Sequence, residues 1–230
     1  MTYFINIETS TDICSAALSK DSQVVDFEEN HERNHASSLA VFIEKLLKRN
    51  NLSVKDLSGV AVSKGPGSYT GLRIGTSTAK GMAYFSDIKL IAVDTLQALA
   101  LAASKETEVK NAVFISCLDA GRNEVYCEIF DSQNRVLRPC AAEIVDKNSF
   151  KDFFDNNKVV FAGNANRKLA EILGADRAIY LDNIIPSARN MAELTYKAFE
   201  NQEFADVAYF EPFYLKDFIA TVSKKNVLRT

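Results

Sequence analysis

The sequence predicts an α/β protein of two lobes, each built in the order βββαβαβα. Short runs rich in Val, Ile and Phe alternate with segments of 3.6-residue periodicity, as strands alternate with helices. Three strand-like runs separated by tight turns open each half of the chain. The whole order of elements then recurs in the second half, by pattern rather than by residue identity.

The first half opens with "YFINIET" (Tyr3 to Thr9), "ICSAALS" (Ile13 to Ser19) and "QVVDFEE" (Gln23 to Glu29). Ser-Thr-Asp and Lys-Asp-Ser separate them, residues that make turns through their own side chains. A helix is predicted from about His35 to Arg49, because Leu39, Phe42, Ile43, Leu46 and Leu47 fall on one face. The strand "GVAVS" (Gly59 to Ser63), a glycine-rich turn and a helix from Tyr69 to Phe85 follow. The strand "KLIAV" (Lys89 to Val93) and a helix from Thr95 complete the set. In the second half, Ala112–Ala120, Glu124–Phe130 and Asn134–Cys140 read as the three strands. A helix over Asn148–Asn156, a strand over Lys158–Gly163 and a helix near Leu169 come next. The strand Ala178–Asp182 precedes a helix that begins after Pro186, a good first-turn residue, and runs to about Glu200.

Three strands joined by tight turns make an antiparallel meander, and strands separated by helices add to it in parallel. Two such halves side by side are the architecture of actin, hexokinase and DnaK-type ATPases, the actin-like ATPase (ASKHA, ribonuclease H-like) superfold. That fold binds nucleotide between its lobes, on turns and helix starts. The N-terminal lobe is predicted over residues 1–104 and the C-terminal lobe over 105–204, with the polar stretch "SKETEVKN" (Ser104 to Asn111) as linker. The tail, 205–230, is expected to return to the first lobe, since Phe213, Tyr214 and Leu215 are too apolar to leave in water.

Composition narrows the function classes. Of 230 residues, 47% are apolar and 25% charged, ordinary for a globular protein, and the net charge of −3 points to no nucleic-acid-binding face of its own. Cys14, Cys117, Cys127 and Cys140 lie scattered in apolar runs without C-x-x-C spacing, so buried free thiols in a reducing compartment are expected. The N-terminal stretch enters a strand at once, without a basic n-region, and no apolar run is long enough to span a bilayer. A cytoplasmic protein with no membrane association is therefore expected.

The glycine-rich turn "SKGPGSYTGLRIGTSTAKGMA" (Ser63 to Ala83) is the most informative stretch. Gly65 and Gly67 flank Pro66 after a strand, and Ser68 can cap the helix beyond. A strand, a glycine turn and a helix N-terminus can hold an anion, yet the spacing is neither that of a Walker A loop nor that of G-x-G-x-x-G. Glu8, Thr9 and Ser10 occupy the first turn, where active members of the superfold place an acid and hydroxyls near phosphate and Mg²⁺. With Gly65, Gly67 and Ser68 they make a pair of candidate, vestigial phosphate-site turns. A turn held by its own hydroxyls is the plainer reading of the same residues.

Within the helix, Gly71, Gly75, Thr78, Ala79 and Met82 share one face. Interior glycine costs about 1 kcal/mol relative to alanine. Two glycines a turn apart therefore imply close approach of another backbone, either inside the lobe or from another subunit. The subunit reading predicts an interface of Leu39, Phe42, Ile43 and Leu46 from the first helix with Gly71, Leu72, Ile74, Gly75, Thr78 and Met82 from the second.

"HERNH" (His31 to His35) fits the H-E-x-x-H zinc-protease motif. Against that reading, His31 ends a strand-like run, Asn30 and Asn34 interrupt any helix, and His31 and His35 are the chain's only histidines. His31 is expected as a strand-end surface residue and His35 near the start of the first helix. The sequence leaves open whether they bind adventitious metal.

The motifs "INIETSTDICSAAL", "NHASSL", "SKGPGSYTGLRIGTSTAKGMA", "DTLQALA", "DAGRNEVY" and "EPFYLK" together closely resemble the TsaB (YeaZ) family, in order, spacing and length. The resemblance implies a non-catalytic partner in making the threonylcarbamoyl group on adenosine 37 (t6A37) of tRNA. The partners it implies are the paralogous transferase TsaD, which carries the metal, and the ATPase TsaE. It also implies a homodimer when the chain is alone, and contact with tRNA only through the complex. No cofactor is expected in this chain. The paralogue's His-x-x-x-His metal pair would fall in "DTLQALA" (Asp94 to Ala100), which has no histidine, and Glu8 stands where many relatives have Asp. The alternatives are an active small-molecule kinase or ATPase of the same superfold and a zinc metallopeptidase.

Overall fold

A computed structural model describes residues 1–31, 35–155 and 157–215. The first sheet contains β1 (Tyr3–Glu8), β2 (Cys14–Lys20), β3 (Gln23–Asn30), β4 (Gly59–Ser63) and β5 (Lys89–Val93), in the order β3-β2-β1-β4-β5. β1, β2 and β3 pair antiparallel, and β4 and β5 extend the sheet in parallel. The second sheet repeats this plan with β6 (Val113–Asp119), β7 (Glu124–Phe130), β8 (Val136–Ile144), β9 (Val159–Ala162) and β10 (Ile179–Leu181), in the order β10-β9-β6-β7-β8. The predicted duplication is thus present in the sheet topology, strand for strand.

The helices are α1 (His35–Arg49), α2 (Tyr69–Ser86), α3 (Thr95–Glu106), α4 (Lys151–Phe154), α5 (Asn166–Leu173) and α6 (Ala192–Glu200). α1 buries Leu39, Phe42, Ile43, Leu46 and Leu47 in one core with Ile5, Ile7, Leu18, Val60 and Val62 of the first sheet. An apolar stripe at this period needs one sheet face to cover, and β2 and β3 supply it. α4 is shorter than the predicted Asn148–Asn156 helix, whose last residue lies outside the described residues. The strand predicted at Asn134–Cys140 runs instead from Val136 to Ile144.

α3 runs on past Ser104, the expected end of the first lobe, to Glu106. Ser104 and Lys105 belong to α3 rather than to a linker. α3 also packs on the second sheet: Leu96, Leu99, Ala100 and Ala103 share a core with Phe114, Leu118, Phe130, Val160 and Ala162. Conversely, Met191, Leu194 and Phe199 near and in α6 pack against Phe4, Ala61, Ile91 and Val93 of the first sheet. Each half therefore lends its last helix to the interior of the molecule, where both sheets bury apolar surface. Buried hydrogen bonds reinforce the exchange: Thr195 Oγ1 donates to Asn6 Oδ1 at 2.6 Å, and the Ala188 amide donates to Ser15 Oγ at 2.9 Å.

The returning tail packs on the first lobe over its described part. The Ala205 amide donates to Leu90 O at 2.9 Å, and the Phe213 amide to Lys64 O at 2.7 Å. Lys80 Nζ donates to Ala208 O and Phe210 O at 3.0 and 3.1 Å. The Tyr214 ring lies 4.9 Å from that of Tyr69. Residues 216–230, with the basic stretch "SKKNVLRT", fall outside the described residues. Among the described residues no helix is long and apolar enough to cross a membrane.

Candidate functional site

The lobes meet along a cleft of about 500 Å³ lined by Ser10, Thr11, Asp12, Gly67, Ser68, Leu118, Asp119, Ala120, Tyr126 and Asn164. The turn after β1, the glycine turn after β4, and the start of the β6–β7 hairpin form its walls. The sequence-predicted turns therefore do converge, and they converge on each other. The Ser68 amide donates to Ser10 O at 2.6 Å. A Cβ on Gly67 would lie 2.2 Å from that same oxygen, so only glycine permits the contact. Gly65 has φ +100° and its α-carbon faces Phe213 O of the tail.

These contacts consume groups that an anion would need. Ser68 caps α2 by accepting from the Gly71 amide at 3.3 Å, and its own amide is bound to Ser10. Glu8 is 1% exposed and turns away from the cleft. Its Oε1 accepts from the Ser10 amide at 2.6 Å and from Ser63 Oγ at 2.9 Å. Burial pushes the Glu8 carboxyl above the usual range, while hydrogen bonds from Ser10, Ser63 and Thr9 work against that rise. The cleft lining carries Asp12 and Asp119 and no lysine or arginine. Lys168 stands beside it, 2.5 Å from Asp119 Oδ1 and 3.1 Å from Glu124 O. A polyphosphate brought here would meet two carboxylates and amides already in use.

The residues at "DTLQALA" do not fit a metal either. Asp94 is the N-cap of α3, with Oδ1 accepting from the Leu96 and Gln97 amides at 3.0 and 3.1 Å. Thr95, Leu96, Ala98, Leu99 and Ala100 are buried. Among the described residues no three His, Cys, Asp or Glu side chains converge on a point a metal would occupy. The two histidines sit apart in role: His31 follows β3, 3.3 Å from Glu29 Oε1, while His35 opens α1 and reaches Thr11 O with Nε2 at 2.8 Å. Glu32, Arg33 and Asn34 of the protease-like motif lie outside the described residues.

The expected subunit interface is largely an interior. Leu39, Phe42, Ile43, Leu46 and Leu72 are buried in the monomer. A Cβ on Gly71 would lie 2.0 Å from Thr9 O, and one on Gly75 would lie 2.3 Å from Thr9 Oγ1. The glycine face of α2 thus admits the first turn of its own lobe. The close backbone approach inferred from the sequence is present, with its partner in the same chain. Ile74, Thr78 and Met82 are only half-buried. Beyond them on α2, Tyr84 and Phe85 are 73% and 86% exposed. All four cysteines are free, as expected, with Cys14, Cys117 and Cys127 buried and Cys140 half-buried.

Glu128 is a residue the sequence reading passed over. It lies in β7 on the face that Tyr126 and Phe130 turn to the inter-lobe core. An acid at an inward position of an alternating strand is the signal that could have found it.

Two duplicated meander-and-crossover lobes, with a cleft between their turns, define a member of the actin-like ATPase superfold. Among solved structures, YeaZ from Pseudomonas aeruginosa matches with TM-score 0.80 at 24% identity, covering 94% of this chain and all of that one. An ADPNP-bound activator of 2-hydroxyisocaproyl-CoA dehydratase from Clostridium difficile matches at TM-score 0.52 and 12% identity over 88% of this chain and 96% of its own, a likeness of fold alone. The sequence model of the family described as TsaD, tRNA N6-adenosine threonylcarbamoyltransferase, matches residues 28–224. The chain belongs to this family. The tRNA threonylcarbamoyladenosine biosynthesis protein TsaB of Escherichia coli is 26% identical over 93% of this chain and 94% of its own length. Haemophilus influenzae TsaB is 33% identical over 52% of this chain, a match that spans about half of that relative, 50% of its length.

Proposed function

We propose that this chain is a non-catalytic, cytoplasmic partner subunit in the formation of threonylcarbamoyladenosine at position 37 of tRNA. In this reading it pairs with a TsaD-like transferase, works alongside a TsaE-like ATPase, and meets tRNA only through the complex. The observation that carries it is the state of the two phosphate turns. They are stapled to each other through Ser68 and Ser10, with Glu8 folded into its own turn. Family membership supplies the pathway, and "DTLQALA" without histidine supports the absence of a metal of its own. ATP and metal then enter with the partner subunits, and the chain alone turns over neither protein nor ATP at an enzymatic rate.

Mass spectrometry of tRNA nucleosides tests the reading. Removing the chain from its native cell should abolish threonylcarbamoyladenosine, and re-expression should restore it. Unchanged levels without the chain would overturn the proposal. The double variant His31→Ala/His35→Ala should restore the modification as well as the native chain does, since neither side chain holds a metal in this reading. Complete loss from a folded double variant would revive metal chemistry.

The outward part of α2 is the proposed contact for a TsaD-like partner or, in its absence, a second copy. Ile74, Thr78 and Met82 are half-buried beside exposed Tyr84 and Phe85. Aromatic and aliphatic side chains of this kind anchor interfaces. Ile74→Asp is expected to weaken partner binding about tenfold or more, because it places a charge in the desolvated centre. Titration by calorimetry with the transferase, with circular dichroism as folding control, reads this out. Unchanged affinity would place the contact elsewhere.

A further inference from the structure

The cleft between the lobes is acidic, and a basic segment of the same chain begins beside it. Asp12 and Asp119 line the cleft and are exposed, with no lysine or arginine in the lining. Lys168 reaches Asp119 from the side, at 2.5 Å. The lining also holds an unanswered hydroxyl: Ser10 is 1% exposed, and its Oγ has no hydrogen-bond partner. At about 500 Å³ the cleft has the size of a pocket for a small ligand or a short run of peptide.

The returning tail runs along the glycine turn, one wall of that cleft. The Phe213 amide donates to Lys64 O at 2.7 Å, and a Cβ on Gly65 would lie 3.0 Å from Phe213 O. The Tyr214 ring lies 4.9 Å from that of Tyr69, the residue after cleft-lining Ser68. The described tail stops at Leu215. Residues 216–230 carry Lys216, Lys224, Lys225 and Arg229 against Asp217, a charge of +3, while residues 1–215 carry −6. Lys224 is nine residues past Leu215, a length that can span up to about 30 Å.

We infer that the cleft is a basic-peptide site and that its occupant is this chain's own segment Ser223–Thr230, "SKKNVLRT". Its ammonium and guanidinium groups meet Asp12 and Asp119, and the Ser10 hydroxyl gains a partner. A polyphosphate is the wrong sign for this lining. A divalent cation lacks a third acidic ligand, since among the described residues no three such side chains converge. Exposed ion pairs are individually weak, but attachment to the same chain supplies an effective concentration on the order of mM. The cleft of the free chain is then filled by the chain itself.

The test uses the full chain and needs neither transferase nor tRNA, so it stands or falls apart from the role in tRNA modification. A zero-length carbodiimide joins a lysine ammonium to a carboxylate in contact with it. Mass spectrometry of the digest should find Lys224 or Lys225 joined to Asp12 or Asp119. In an equal mixture of unlabelled and isotope-labelled chains, each joined pair should come from one kind of chain. Mixed pairs alone would mean that a second copy supplies the segment, and would overturn the assignment. The Ser68, Ala120 and Asn164 amide signals should differ between the native chain and Lys224→Ser/Lys225→Ser/Arg229→Ser, and the difference should shrink in about 0.5 M salt. A synthetic SKKNVLRT peptide should bind that triple variant about tenfold more tightly than the native chain, whose cleft is already occupied. Asp12→Asn/Asp119→Asn in the triple variant should remove this binding, and the cross-linking and NMR arms stand even if those changes disturb the fold. Products on other carboxylates only, unmoved cleft amides, or equal peptide affinity for the two chains would each overturn the inference.

Discussion

Gly71→Ala is expected to cost about 3 kcal/mol, the upper end of overpacking by one methyl. The added Cβ would lie 2.0 Å from Thr9 O, a backbone atom of the turn that follows β1. That turn cannot retreat cheaply. Its next residue accepts the Ser68 amide, and Glu8 is tied to Ser10 and Ser63. Gly81 on the same helix is the internal control, because a Cβ there meets nothing within 4 Å. Gly81→Ala should therefore gain about 0.5–1 kcal/mol from helix propensity alone. Urea unfolding of the two variants measures both signs in one experiment. Equal stabilities would show that α2 does not seat on the first turn as described. The same geometry changes the meaning of Gly75→Leu. With Thr9 Oγ1 at 2.3 Å from the new Cβ, that variant should damage the fold of the lobe before it can report on association.

Asn6→Ala should cost about 2–4 kcal/mol, through buried polar groups left unpaired. Asn6 is fully buried in β1. Its Nδ2 donates to Ser19 Oγ at 2.9 Å and lies 3.4 Å from Ala17 O, while its Oδ1 accepts from Thr195 of α6 at 2.6 Å. The side chain thus ties the last helix of the second half to the first sheet. Removing it strands a hydroxyl on each side. A double-mutant cycle with Thr195→Val should give a coupling of about 1 kcal/mol or more, because the residues share one bond. Additive effects in that cycle would mean that α6 is held by apolar packing alone, through Met191, Leu194 and Phe199.

Elements set by local pattern were legible in the sequence. α1 from His35 to Arg49 and the strands Gly59–Ser63, Lys89–Val93 and Glu124–Phe130 begin and end where periodicity and turn residues place them. The duplicated order of elements fixed the superfold, because three tight-turned strands followed by crossover helices leave few ways to close a sheet. The motif residues fixed the family. In the site, the sequence brought Glu8, Ser10, Gly67 and Ser68 to neighbouring turns but could not say what those turns hold. The answer depends on whether each amide and carboxylate oxygen is already paired, and those pairs form between segments far apart in the chain.

The tertiary structure alone decided three matters. Periodicity tells which face of a helix is apolar, not which sheet that face will cover, so the destinations of α3 and α6 were out of reach. A small-residue face reads the same whether it admits Thr9 of its own lobe or the backbone of another subunit, and only the 2.0 Å approach at Gly71 separates the two. Glu128 looks like one acid in an alternating strand until the fold buries it to 7% exposure, where its charge has little water to stabilise it. In each case the sequence determined the chemical character of a surface, and the fold determined what that surface meets.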